Sequence, residues 1–160
     1  SRGLGDVYKR QKLINASVSG DTTGGGLGRL AKNLKKFNPD FVLIELGGND
    51  ALRGYSINLI KSNLEKMIAL AKQNKSKVLL MQIRIPPNYG QKYTHAFEKI
   101  YVDLAQTEEV YLLPFMLEEI GINSELMQPD GIHPNKKAQP QIAKEMKKNI
   151  DKFLLFNQSN

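Results

Sequence analysis

This 160-residue sequence predicts an α/β fold: a parallel sheet with helices on both faces. Two observations carry the prediction. Short, nearly continuous apolar runs recur along the chain, as strands buried on both faces require. Between them lie longer stretches whose apolar residues return every three or four positions, the period of a helix packed on one side. Alternation of the two is the pattern of right-handed strand–helix–strand crossovers.

The elements follow in order. Leu13-Ile14 is a first, short strand run. Leu27, Leu30, Ala31, Leu34 and Phe37 mark a helix, and Phe41–Leu46 is the next strand run. Ile57, Ile60, Leu64, Met67, Ile68 and Ala71 mark a second helix before the run Lys77–Ile83. Ala96, Phe97, Ile100, Tyr101 and Leu104 give a third helix before Val110–Leu113. The last helix carries Ile142, Ala143, Met146, Ile150 and Phe153. Pro140 must fall in or before its first turn, because an interior Pro would break it.

Composition narrows the chemistry. At 41% hydrophobic and 24% charged, the chain is composed like a soluble globular domain. It has no Cys, which excludes disulfides, thiolate metal sites and a Cys nucleophile. Its two His, His95 and His133, are too few for a multi-His zinc site, so no metal is expected. No apolar run reaches membrane-spanning length. The net charge of +7 comes largely from Lys32, Lys35 and Lys36 in one helix and Lys136, Lys137, Lys144, Lys147, Lys148 and Lys152 in or beside another. Both sets interleave with an apolar stripe, as a solvated outer face does, so no nucleic-acid partner is expected.

In parallel sheets, ligands bind beyond the carboxyl ends of the strands. The segments there are Asn15–Thr22, Gly47–Asp50, Arg84–Gly90 and, before the last helix, Asp130–Pro134. Asp130 and His133 are three apart, close enough in a turn for the carboxylate to reach the imidazole. That contact fixes the tautomer and leaves the other ring nitrogen free as a base. Gly20 could present a backbone N–H to an anion, and Asn49 a side-chain amide to a developing oxyanion. Each feature alone is more often a turn or a helix cap. Asp50 reads as a cap or a loop brace, not a catalyst.

Together the four segments are more specific. Asn-Ala-Ser-Val-Ser-Gly-Asp-Thr at 15–22, Glu-Leu-Gly-Gly-Asn-Asp at 45–50, Met-Gln-Ile-Arg-Ile-Pro-Pro-Asn-Tyr-Gly at 81–90 and Asp-Gly-Ile-His-Pro-Asn at 130–135 occur in one order. In this the sequence resembles the SGNH (GDSL-type) hydrolases, within them the bacterial thioesterase, lysophospholipase and arylesterase group. The resemblance covers the chain from about Lys12 to its end. It implies a three-layer, flavodoxin-like sheet and a serine hydrolase acting on small acyl esters, thioesters or lysophospholipids. It further implies Gly20 and Asn49 as oxyanion-hole donors, His133 as general base and Asp130 as its orienting partner. Ile85, Pro86, Pro87, Asn88 and Tyr89 would belong to a mobile loop lining the acyl pocket. Such chemistry needs no metal or organic cofactor. The relatives implied are monomers without stable membrane insertion, commonly exported to the periplasm or secreted.

One departure matters. The family's nucleophile is the Ser of a Gly-Asp-Ser-Leu-like block after the first strand, and this chain has no such block. Gly5-Asp6-Val7 copies two letters of it, but Val has no nucleophilic atom. Ser17 and Ser19 lie on the oxyanion side with nothing local to activate them. Residues 1–11 show no periodicity and are expected to be a non-native segment ahead of one incomplete hydrolase domain at 12–160, whose sheet lacks its first strand. The chain as it stands is therefore expected to be inactive. The rival reading is a non-catalytic flavodoxin-like module that binds a ligand without chemistry.

Overall fold

The computed structural model describes residues 12–118 and 120–158, with side chains as far as Leu155. Helix α1, Thr23–Phe37, starts where the Thr22 hydroxyl accepts from Gly25 N at 3.3 Å. It stops where Asn38 turns left-handed. Strand β1 is Phe41–Ile44, followed by a short helix α2, Gly48–Leu52. Helix α3, Ile57–Gln73, is capped by Ser56, whose hydroxyl accepts from Leu59 N. Strand β2, Lys77–Met81, leads through a 3-10 turn at Pro87–Tyr89 into helix α4, Gln91–Thr107. Strand β3 is Tyr111–Leu113. Further 3-10 turns at Ser124–Leu126 and Lys136–Ala138 precede helix α5, Gln139–Gln158. Pro140 sits in the first turn of α5, where its missing N–H breaks no helical bond.

The sheet is parallel in the order β1-β2-β3, with Leu43 beside Leu79 and Leu80 beside Leu112. Side chains alternate between its faces. Ile44, Val78 and Leu80 join Leu34 of α1, Leu64 and Ile68 of α3 and Phe97 and Leu104 of α4 in the main core. Leu79, Met81 and Leu113 pack against Phe153 and Leu154 of α5. Helices therefore cover both faces, as the two periodicities require.

The strand expected at Leu13-Ile14 does not form. That segment has no regular structure, and Leu13 is 93% exposed. Two apolar residues cannot hold a strand without a neighbouring ladder, and the outer edge of β1 has no partner among the described residues. Phe41 and Leu43 on β1 remain 40% and 41% exposed, Phe41 touching Phe153 edge-on. The segment 1–11, expected to be non-native, lies outside the described residues. The runs at Phe41–Leu46 and Lys77–Ile83 leave the ladder early, at Ile44 and Met81. Their last residues form the mouth of the site.

Gly47 fixes that mouth. Its φ of 118° is costly for any L side chain. A Cβ there would collide with the buried Tyr101 hydroxyl, which donates to Leu46 O at 2.9 Å. Gly47→Ala is expected to cost about 1–3 kcal/mol in backbone strain alone, read as a lower urea midpoint at unchanged slope.

Candidate active site

The carboxyl ends of β1 and β2 open into a cleft of about 260 Å³. Glu45, Leu46, Gly47, Gly48, Asn49 and Leu52 form one wall, and Met81–Pro86 a second. Phe115, Met116, Leu117, Ile132 and His133 close it. A wider surface dish between Gly121 and Gly131 brings no oxyanion donor with it. The cleft with the polar groups is the one to read for chemistry.

The Asp130–His133 turn is built locally. Asp130 Oδ1 accepts the backbone N–H groups of Ile132 at 2.9 Å and His133 at 3.0 Å. Asp130 Oδ2 meets His133 Nδ1 at 2.8 Å. These bonds, led by the backbone N–H of His133, hold the Asp130 carboxyl down at about 2. Nε2 of His133 has no partner among the described residues, and the ring lines the cleft. The arrangement is a base with a fixed tautomer and a free lone pair.

The sign for Asp130 follows from its lowered pKa. Its favourable contacts are fully present above the ordinary carboxylate value of about 4 and are lost as pH falls through about 2. The Asp130–His133 contact therefore persists through the mildly acidic range. No titration of Asp130 is expected between pH 4 and pH 7, because its carboxyl is already ionised there. An NMR pH titration of the Asp130 carboxyl carbon checks it.

Gly20 comes from a loop and Asn49 from helix α2, and the two segments are tied together. Asn49 Nδ2 donates to Asp21 O at 3.0 Å, which leaves its second amide hydrogen uncommitted. Arg53 donates to Gly20 O at 3.2 Å. Gly20 has φ 73°, and open space where a Cβ would stand. Gly20 itself is not among the residues lining the cleft; its neighbour Asp21 is the one bonded to Asn49, which does line it.

Asp50 braces these loops. It is buried, and it accepts from Thr23 N at 2.8 Å and from the Thr23 hydroxyl at 2.6 Å. Asn63 of α3 donates to the same hydroxyl at 3.0 Å. Asp50 thus caps α1 from the short helix α2. Asp50→Ala leaves two buried donors without an acceptor and is expected to cost about 3 kcal/mol, measured by denaturant unfolding.

Of the residues expected in the acyl-pocket loop, Ile85 and Pro86 line the cleft. Pro87, Asn88 and Tyr89 form the 3-10 turn and lie outside its lining. Arg84 ties this loop to Glu118 at 2.6 Å. The sequence reading missed Phe115, Met116 and Leu117, which follow β3 and close the cleft; position after a strand was their only signal. It also assigned no role to Glu45. Among the described residues, no Ser, Thr or Cys lines the cleft. Ser17 and Ser19 are exposed and make no contact with His133.

Known proteins share this architecture. The GDSL-like Lipase/Acylhydrolase family profile matches residues 1–139. An arylesterase of Vibrio mimicus is 50% identical over 142 residues, covering 89% of this chain and 71% of that protein. "Thioesterase 1/protease 1/lysophospholipase L1" of Escherichia coli is 47% identical over 148 residues, covering 92% and 71%. The crystal structure of the psychrotrophic esterase EstA from Pseudoalteromonas superposes with a TM-score of 0.89 at 41% identity, covering 93% of this chain and 82% of that one. With Asn49 and His133, the latter bonded to Asp130, lining one cleft at the carboxyl end of a parallel sheet, the chain belongs to the GDSL-like lipase/acylhydrolase family.

Proposed function

We propose that this fold hydrolyses small carboxylic esters and acyl thioesters, lysophospholipids among them, through a serine acyl-enzyme. The observation that carries the reading is the Asp130–His133 contact at 2.8 Å, with Nε2 free in the cleft that Asn49 lines. A serine hydroxyl placed there loses its proton to Nε2 as it attacks the acyl carbonyl. The uncommitted amide hydrogen of Asn49 and the N–H of Gly20 stabilise the oxyanion. His133 then protonates the leaving group and takes a proton from the water that releases the acid. Leu52, Met81, Ile83, Ile85, Phe115 and Met116 supply apolar surface for the acyl chain.

The serine must come from a segment other than the cleft walls described. As it stands the chain is expected not to turn acyl ligands over, and this is the one respect in which the binding-module reading is favoured. The partner is a small molecule. On α5, Lys147 pairs with Asp151 and Lys148 with Glu145, which supports a solvated basic face over a nucleic-acid surface. The reading further takes the protein as a monomer acting in the periplasm or outside the cell, on the resemblance alone.

The test replaces residues 1–11 with a strand–turn–helix segment carrying Gly-Asp-Ser. The parent chain is expected to hydrolyse a short-chain p-nitrophenyl ester no faster than imidazole does. The extended chain is expected to show turnover with a burst of acyl-enzyme. A burst from the parent chain, abolished by Ser17→Ala or Ser19→Ala, would overturn the missing-nucleophile reading. A folded but inert extended chain would overturn the hydrolase reading.

A further inference from the structure

Helix α2 carries Asn49 into the cleft, yet it has only 5 residues. So few residues do not hold a helix, or its direction, by their own bonds. Whatever aims the Asn49 amide lies outside α2. Asp50 ties its middle to Thr23 of α1. That tie leaves both ends of the segment to be held by something else.

Both ends are held from α4. Leu46 lies past Ile44, the last residue of β1 in the ladder, so its carbonyl needs a partner elsewhere. The Tyr101 hydroxyl donates to it at 2.9 Å. On the far side, Tyr55 N donates to Asp50 O at 3.0 Å, which folds the chain after α2 back onto it. The Tyr93 hydroxyl donates to Tyr55 O at 2.6 Å. Two phenols of one helix, about 12 Å apart along its axis at 1.5 Å per residue, thus grip the carbonyls before and after α2.

The grip is stiffest at Tyr101. Its ring is fully buried and meets Phe97 edge-on, with centroids 5.4 Å apart. Gly47, where α2 begins, packs so close that a Cβ would strike the Tyr101 hydroxyl. Tyr93 is partly buried against the same core. Burial, and after it the negative charge of Asp50, push both phenols above their ordinary pKa, so both stay donors through the neutral range. We propose that Tyr93 and Tyr101 are positioning residues, a pair of hydroxyls on α4 that clamp the two ends of α2 and so aim the Asn49 amide into the cleft. The inference rests on the hydrolase reading and adds to it what fixes the oxyanion donor. Because α4 begins directly after the Pro87–Tyr89 turn, the loop bearing Ile85 and Pro86 and the helix bearing Asn49 share one support.

Tyr101→Phe and Tyr93→Phe each remove one oxygen and keep the ring. In the chain as it stands, backbone hydrogen exchange is read by mass spectrometry below micromolar concentration. In Tyr101→Phe it is expected to quicken across residues 47–55 by about tenfold more than across α3, as a local opening does. In the serine-bearing chain, Tyr101→Phe is expected to lower kcat by roughly 10–10²-fold, less than outright loss of the donor, with KM changed less than about twofold. Tyr93→Phe acts in the same direction by less. The double variant Tyr101→Phe/Asn49→Ala is expected to be no slower than Asn49→Ala, since the clamp acts only through that amide.

Equal quickening of α2 and α3 overturns the proposal, because it marks a loss of core stability and nothing more. Unchanged kcat in Tyr101→Phe overturns it too, as does an additive loss in the double variant. If Tyr101→Phe fails to fold, Tyr93→Phe decides by the same readings. If the serine-bearing chain is folded but inert, the hydrolase reading fails, and the exchange pattern alone decides for or against the clamp.

Discussion

His133→Ala in the extended, serine-bearing chain is expected to lower kcat/KM by about four orders of magnitude. Without the imidazole, the described lining of the cleft keeps no base that an aspartate orients. Glu45 is the remaining carboxyl of the lining, and Arg84 is tied to Glu118. Asp130→Asn is expected to cost about 10⁴-fold as well, by presenting the wrong tautomer at an intact geometry. Asn49→Ala should cost less, roughly 10²–10³-fold, the usual loss of one oxyanion donor. Single-turnover kinetics with a p-nitrophenyl ester separates these effects from binding. His133→Ala retaining more than a tenth of the activity would show that the base has been misassigned.

The second large effect concerns the edge of β1. Phe41 and Leu43 are partly bare on a strand with no outer neighbour among the described residues. Such an edge carries unpaired backbone groups and apolar surface together, and it associates readily. The chain as it stands is expected to bind a hydrophobic dye and to self-associate at micromolar concentration. An added strand of about 5–6 residues with four buried apolar side chains contributes roughly 6–12 kcal/mol at 1.5–3 kcal/mol each. That approaches the whole net stability of a domain, about 5–15 kcal/mol. At roughly 2–4 °C per kcal/mol for a chain of this size, the extended chain should melt tens of degrees higher and lose the dye signal. A dye-silent monomer whose midpoint is unmoved by the extension would refute the expectation.

The periodic elements were legible because their apolar residues face a core wherever the helix lies. Leu64 and Ile68 on α3, and Phe97 and Leu104 on α4, are all fully buried. Pro140 marked the first turn of α5 for a reason of covalent geometry that no packing can override. Leu13-Ile14 was misread because a strand is a property of a pair, and its neighbour is not among the described residues. Asp130 and His133 were legible because three residues of one turn bring them together. Asp50 was legible only in part. Its role as a brace could be argued from its place beside Asn49, but its partner Thr23 lies 27 positions away, and Asn63, which bonds the same Thr23 hydroxyl, lies 40 positions from Thr23. The wall formed by Phe115, Met116 and Leu117 carries no motif, so only folding reveals it.

The Thr23–Asp50–Asn63 bonds weld the oxyanion loops to α1 and α3. The Asp130–His133 turn is held differently. Gln128 N donates to His133 O at 2.7 Å, and Asn135 donates to Glu125 O and Met127 O at 2.7 and 3.1 Å, all within one exposed stretch. The acid–base half is thus a self-contained cartridge clipped onto a welded frame. For laboratory evolution this means the positions between Asn123 and Asn135 can be randomised together with Asp130 and His133 kept, while the same freedom at Thr23 or Asp50 would empty a library of folded members. On mild heating the cartridge should open first and close again on cooling, so early loss of activity in a serine-bearing chain would be recoverable.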